Sequence, residues 1–184
     1  MRTRIRAGLK KYSADEREKF SAQACTLLRE QTLWRSAKTI LFYAPLPNEL
    51  NIWPLVADAL DAKKIVVLPQ FNPRTNHYIG CQITHLENDL APGQFGIREP
   101  KSHCSEILLN RLDLALVPGV GFDLMGRRLG RGKGFYDRLL AQIPGSKCGI
   151  GFDEQIVEAI PTEPHDVRLN YILTPTRWIE VTPA

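Results

Sequence analysis

The sequence predicts an α/β protein, a three-layer α/β/α sandwich with a mostly parallel central sheet, and three observations carry that prediction. Short, almost continuous apolar runs recur along the chain and end in proline-containing turns, which suits strands buried on both faces of a parallel sheet. Stretches with apolar residues at helical spacing alternate with those runs. At 184 residues and 43% hydrophobic content, the chain is near the size of one domain and has ample material for a continuous core. Residues 1–184 are therefore expected to fold as a single domain.

The first predicted element is a helix opened by Ser13-Ala-Asp-Glu16. This is a capping box, in which the Ser13 hydroxyl meets the Glu16 amide and the Glu16 side chain reaches back. Phe20, Ala24, Leu27 and Leu28 give the helix an apolar stripe for core packing. Thr39 to Tyr43 reads as the first strand and Ile65 to Leu68 as the second. Between them, Ile52 to Ala62 has helical spacing at Leu55, Val56, Ala59 and Leu60, which makes a strand-helix-strand unit. Residues 70–111, rich in Pro, Asn and Gly, are less regular, with antiparallel strands such as Tyr78 to Thr84. Leu112 to Val117 is another buried strand, Gly134 to Gln142 another helix, and Cys148 to Phe152 another strand. There is no internal repeat and no low-complexity tract.

The net charge of +4 and pI of about 8.9 suit an anionic ligand but fall short of a nucleic-acid-binding signature. Cys25, Cys81, Cys104 and Cys148 lie far apart, with no CxxC pair and no histidine spaced to complete a zinc site. They read as reduced core thiols. The charged N-terminus has no apolar segment behind it, and no run of about 18 apolar residues occurs anywhere. A cytoplasmic protein without a membrane anchor is the expectation, and size alone makes a monomer the default.

One stretch invites a chemical reading. Arg128-Leu-Gly-Arg-Gly-Lys-Gly-Phe-Tyr-Asp137 follows the predicted strand ending at Val117 and enters a predicted helix, and open α/β sheets collect ligands at such carboxyl ends. Gly130, Gly132 and Gly134 alternate with Arg131 and Lys133. The backbone can therefore approach an anion closely while two cations project toward it. The alternative is a solvated basic turn. A Walker loop is excluded, because it needs glycine at 127 and Ser or Thr at 134, where the chain has Arg127 and Gly134. The dinucleotide fingerprint fails at Phe135. Asp137 suits either a magnesium ligand or an ordinary first-turn acid that complements the helix dipole.

Pro118-Gly-Val-Gly-Phe-Asp123 followed by the Arg128–Asp137 stretch resembles the signature of the 5-formyltetrahydrofolate cyclo-ligase family. Tyr43-Ala-Pro-Leu-Pro-Asn-Glu49 is similar to its substrate-side segment, Leu90 to Pro100 to its central turn, and Pro164-His-Asp-Val-Arg-Leu-Asn170 to its C-terminal acidic motif. The resemblance implies ATP- and magnesium-dependent closure of 5-formyltetrahydrofolate to 5,10-methenyltetrahydrofolate, with release of ADP and phosphate through an imino-phosphate. It implies catalytic roles for Arg131 and Lys133. ATP would be met by Arg2, Arg128, Leu129, Gly130, Arg131, Gly132, Lys133, Gly134, Phe135 and Tyr136. The folate would be met by Glu49 and by Arg131, Gly132, Lys133, Gly134 and Phe135. Asp137 and Asp166 would hold the magnesium. Read without the resemblance, Glu49 is a surface helix-start acid and Arg2 a charge on a disordered terminus.

The chain departs from the family in places. The family's lysine a few residues before Arg2 is missing, so Lys10 or Lys11 replaces it, ATP is held more weakly, or the start is misplaced. Ile52 stands where threonine is usual and Asn170 where aspartate is, and residues 72–82 show little of the family pattern. His77, His85 and His103 read as surface or turn residues, and His165 either orients Asp166 or is a simple loop residue. Two rival readings remain: a related ATP-using enzyme with a drifted substrate, and an anion- or nucleic-acid-binding module built on Arg127, Arg128, Arg131, Lys133 and Arg138. The expected partners are the folate and ATP, with no nucleic acid and no membrane.

Overall fold

A computed structural model describes residues 1–93, 96–132, 134–163 and 165–182, apart from the side chain of Phe135. The helices are α1 (Arg2–Leu9), α2 (Ala14–Arg29), α3 (Thr32–Ser36), α4 (Trp53–Asp61) and α5 (Phe135–Leu140). The strands are β1 (Thr39–Leu41), β2 (Ile65–Asn72), β3 (His77–Ile83), β4 (Leu90–Pro92), β5 (Arg98–Pro100), β6 (Glu106–Ile107), β7 (Leu114–Pro118), β8 (Gly121–Asp123), β9 (Arg128–Leu129), β10 (Ser146–Ile150), β11 (Ile156–Val157), β12 (Tyr171–Leu173) and β13 (Trp178–Glu180).

The capping box forms as the sequence predicts. Ser13 Oγ accepts the Glu16 amide at 3.2 Å, and Glu16 Oε2 accepts the Ser13 amide at 2.8 Å. The chain N-terminal to it differs from expectation, because Arg2 lies in a helix and not in a disordered terminus. Ile5 and Leu9, one turn apart, are both buried, and Ile5 packs with Val120, Leu129 and Ile160.

Eight strands make the central sheet, in the order β13-β12-β10-β7-β1-β2-β3-β6. Its interior pairs, from β12 through β10, β7 and β1 to β2, are parallel. The flanking pairs β13–β12, β2–β3 and β3–β6 are antiparallel. Alternate strand residues serve opposite faces, as the pleat requires. Ile40, Val66, Leu68, Leu114, Leu116 and Ile150 pack with residues of α2, α3 and α4. Leu41, Val67, Ala115, Val117 and Ile172 pack with Leu139, Leu140 and Ile143 around α5. The apolar runs read from the sequence are continuous because both faces are covered.

The order of strands positions the site. From β1 the chain passes through α4 to β2 on one side, and from β7 through α5 to β10 on the other, so the direction of winding reverses between β1 and β7. Ligands of open α/β sheets collect outside the strand ends at such a reversal. A separate three-stranded sheet, in the order β11-β8-β9, follows β7 in the chain.

Candidate active site

A cleft of about 1020 Å³ opens where β1, β2 and β7 end, with Tyr43, Ala44, Pro69, Pro118 and Gly119 in its wall. The glycine-rich stretch forms another wall: Arg128, Leu129, Gly130, Arg131, Gly132, Gly134, Tyr136 and Asp137 all border it. Arg2, Glu49 and Asp166 complete the set, so residues distant in sequence share one cavity. Gly132 has φ +104° and Gly134 φ +62°, conformations that disfavour a side chain.

The helix that follows the loop is shorter than the sequence suggested. α5 ends at Leu140, with only turn hydrogen bonds carrying the chain on to Ile143. Six residues supply little macrodipole, so positive potential here comes chiefly from side chains and loop amides.

Arg128 and Arg131 are both paired with carboxylates. Arg128 is almost fully buried, and its Nη2 donates to Asp137 Oδ1 at 2.7 Å. Its Nη1 reaches the Pro118 carbonyl at 3.5 Å, its Nε has no acceptor among the described residues, and its guanidinium stacks 5.8 Å from the Tyr136 ring centroid. Arg131 Nη2 donates to Glu49 Oε1 at 2.7 Å. The other oxygen of Glu49 accepts the Leu46 amide at 3.0 Å. With its side chain only 11% exposed, Glu49 is not a surface helix-start acid; it is held in the loop that follows β1. Arg2 Nε donates to the Gly130 carbonyl at 2.9 Å, which fastens α1 to the glycine loop. Arg127, from the rival basic patch, lies 2.7 Å from buried Asp123. Arg127, Arg128 and Arg131 each lie beside a carboxylate, which neutralises three of that patch's five cations.

Asp137 and Asp166 both border the cleft, and each keeps one oxygen busy. Asp137 Oδ1 is on Arg128, and Asp166 Oδ2 accepts the Glu163 amide at 2.8 Å. Two hard carboxylates facing one cavity fit magnesium, with phosphate oxygens and water filling the remaining positions. His165 Nε2 lies 3.5 Å from Glu163 and 3.9 Å from Asp166, so it leans on the loop that carries the second acid.

A family model for 5-formyltetrahydrofolate cyclo-ligases matches residues 1–175. The chain belongs to the 5-formyltetrahydrofolate cyclo-ligase family. Among curated relatives, the Haemophilus influenzae cyclo-ligase is 36% identical over 174 residues, covering 92% of this chain and 91% of that protein. The Escherichia coli K12 cyclo-ligase is 31% identical over 177 residues, covering 94% and 97%. The solved Aquifex aeolicus 5,10-methenyltetrahydrofolate synthetase superposes with a TM-score of 0.89 at 28% identity, covering all of this chain and 92% of that one. The Mycoplasma pneumoniae synthetase gives 0.75 at 25% identity, covering 95% and 96%.

For this cyclo-ligase family member, Lys133 and the side chain of Phe135 lie outside the described residues. Neither Lys10 nor Lys11 is among the residues bordering the cleft, and Lys11 pairs with Glu154 at 3.3 Å. The resemblance named Tyr136, but nothing in the sequence pointed to Tyr78 as its neighbour in an aromatic wall. Tyr78 and Tyr136 both border the cleft, with ring centroids 6.3 Å apart. Burial, with Glu49 adding to it, pushes the Tyr136 hydroxyl far up; burial, with Glu99 adding to it, raises that of Tyr78. Both rings therefore stay neutral. Tyr43, raised in the same way, donates to the Leu50 carbonyl at 3.2 Å. Buried Glu99 also borders the cleft, and its Oε2 accepts the Phe71 amide at 3.2 Å. Tyr78 lies in the 72–82 segment, where the family pattern offered no guide. Among the described residues, no helix is long and apolar enough to cross a membrane.

Proposed function

We propose that the chain catalyses the ATP- and magnesium-dependent conversion of 5-formyltetrahydrofolate to 5,10-methenyltetrahydrofolate, with release of ADP and phosphate. The observation that carries this reading is the 2.7 Å contact between Arg131 and Glu49. Arg131 belongs to the glycine-rich, anion-facing loop, while Glu49 comes from the opposite wall, so the contact joins a phosphate side to a folate side. A phosphoryl group moving from ATP to a folate oxygen must cross that junction.

Phosphoryl transfer needs positioning and charge stabilisation more than covalent help. The formyl oxygen attacks the γ-phosphorus as the bond to ADP breaks, giving an imino-phosphate. N10 then attacks the formyl carbon and loses its proton, and the carbon–oxygen bond breaks. Phosphate leaves with the former formyl oxygen. Arg131 and Lys133 stabilise the charge on the group in flight. Arg2 and Arg128, with the loop from Leu129 to Tyr136, hold the nucleotide phosphates, and Arg131 to Phe135 also face the folate.

Binding of the substrates must break the Arg131–Glu49 pair. A phosphate group draws Arg131 away from Glu49, and the freed carboxylate can accept paired hydrogen bonds from an amino-pyrimidine edge. The neutral rings of Tyr78 and Tyr136 offer apolar cover for a flat heterocycle. A magnesium ion held by Asp137 and Asp166 would neutralise phosphate charge and orient the phosphate oxygens. The family relatives' names and the donor chemistry of the cleft both support this assignment.

The direct test mixes purified protein with 5-formyltetrahydrofolate, ATP and magnesium and follows methenyltetrahydrofolate absorbance. Product should form only when all three are present. Absence of product would remove the assignment.

A further inference from the structure

Beyond the cleft, three donors of a different character meet. A carboxylate oxygen of Asp89, a ring nitrogen of His103 and the sulfur of Cys104 all lie within 4.8 Å of one another. We propose that this trio is a second metal site, one that binds a borderline-soft dication of the zinc type.

The ligand spacing hides the site from a sequence search. His103 and Cys104 are adjacent, but Asp89 lies 14 residues before His103, so no paired-cysteine or paired-histidine motif announces it. The fold closes that gap. Asp89 immediately precedes β4, while His103 and Cys104 occupy the turn after β5, and β4 pairs with β5.

The chain's own hydrogen bonds organise the trio. Asp89 is largely buried, and its Oδ2 accepts the Thr84 amide at 2.6 Å, the His85 amide at 2.9 Å and the Thr84 hydroxyl at 3.0 Å. Those bonds orient the carboxylate so that Oδ1 is presented to His103, whose Nε2 lies 3.0 Å away. The turn is fastened to the same residue, because the Lys101 amide donates to the Asp89 carbonyl at 2.8 Å and the Cys104 amide to the Lys101 carbonyl at 3.0 Å. Little reorganisation is then left for binding, the usual advantage of ligands held by outer hydrogen bonds.

The donor set selects the metal class. Thiolate and imidazole suit zinc, cobalt and similar ions, whereas magnesium takes oxygen ligands. Bonds of about 2.0 Å to nitrogen and oxygen and about 2.3 Å to sulfur set ligand–ligand distances of roughly 3.3–3.7 Å in a tetrahedron. The donor atoms stand close to that range, with His103 Nε2 and Asp89 Oδ1 3.0 Å apart and the whole set within 4.8 Å. On binding, the thiol releases its proton and the imidazole presents Nε2 as a lone pair with its proton on Nδ1. Water takes the fourth position, reached past His103, whose side chain is 59% exposed.

The consequence is structural. Arg98 and Glu99 of β5 border the catalytic cleft, so an ion here would clamp one cleft wall to the end of β3. It would not take part in phosphoryl transfer.

Cobalt titration of the full chain, with magnesium present throughout, tests the site. One equivalent should produce visible d–d bands and a near-ultraviolet sulfur-to-cobalt charge-transfer band, both erased by zinc. Cys104→Ser should remove the charge-transfer band, and His103→Ala should weaken cobalt binding at least tenfold, in variants whose far-ultraviolet circular dichroism matches the parent. Zinc should raise the unfolding temperature of the parent but not of Cys104→Ser. Absence of the bands, or bands unchanged in Cys104→Ser, would overturn the proposal.

Discussion

Replacing Asp123 by asparagine tests the internal scaffold of the site, and the structure sets its size. Asp123 is fully buried. Its Oδ1 accepts the amides of Met125 at 3.0 Å and Arg127 at 3.1 Å, and its Oδ2 accepts the Ile160 amide at 2.8 Å. Arg127 Nε lies 2.7 Å from the same Oδ2, although out of line for a hydrogen bond. One carboxylate thus ties the β8–β9 hairpin, which leads to Arg128, to the segment that leads to Asp166. In Asp123→Asn the carbonyl oxygen can serve the hairpin amides, but the new NH2 group then faces the Ile160 amide and the Arg127 guanidinium, donor against donor. Breaking a buried charge pair costs about 3–5 kcal/mol, against roughly 0–1 kcal/mol for an exposed one. Because Arg127 is 26% exposed and can turn to water, the lower end, about 3 kcal/mol, is the expected loss. With a urea slope of about 1–3 kcal/mol/M, the unfolding midpoint should fall by roughly 1–3 M. Equilibrium urea unfolding followed by circular dichroism measures this directly. A loss under about 1 kcal/mol would refute the assignment of Asp123 as a buried anchor and place it with exposed pairs.

Other substitutions separate the scaffold from the chemistry. Gly126 and Gly132 both have positive φ, but a Cβ on Gly126 would lie 2.5 Å from the Leu169 carbonyl, while one on Gly132 meets nothing within 4 Å among the described residues. Gly126→Ala should therefore cost about 1–3 kcal/mol or more in urea unfolding. Gly132→Ala should cost about 1 kcal/mol yet raise the KM for ATP several-fold; equal stability losses would contradict this contrast. Glu49→Gln should raise the KM for the folate at least tenfold, with a smaller change in the KM for ATP, in steady-state assays. Removing divalent metal with a chelator should stop methenyltetrahydrofolate formation and leave the far-ultraviolet circular dichroism unchanged, with activity returning on addition of magnesium.

Much of this architecture is legible in the sequence, because local chemistry decides it. Ser13 and Glu16 sit at capping-box spacing, and the box forms. The runs from Thr39, Ile65 and Leu112 are almost continuously apolar because the sheet is covered on both faces. Boundaries drifted where tertiary contacts set them. The strand expected at Cys148 to Phe152 is Ser146–Ile150, since pairing with β7 and β12 fixes its register. The helix expected to reach Gln142 stops at Leu140.

Motifs pointed one by one to residues that border the cleft, but not to how those residues pair. Nothing local to Arg131 or Glu49 says that they meet across 82 residues, because strand order brings them together. Arg2 looked like a loose terminal charge, yet Ile5 and Leu9 at helical spacing already carried a readable signal for α1. Tyr78 had no motif at all; only the antiparallel pairing of β2 and β3 places it in the cleft.

In the proposed reaction, this cleft brings the γ-phosphoryl group of ATP to the formyl oxygen of the folate. The most direct measurement uses 5-formyltetrahydrofolate labelled with 18O in the formyl group and follows the isotope by mass spectrometry during turnover with ATP and magnesium. The label should appear in inorganic phosphate, one atom for each methenyltetrahydrofolate formed. Phosphate free of label, with the isotope recovered in water, would contradict the account.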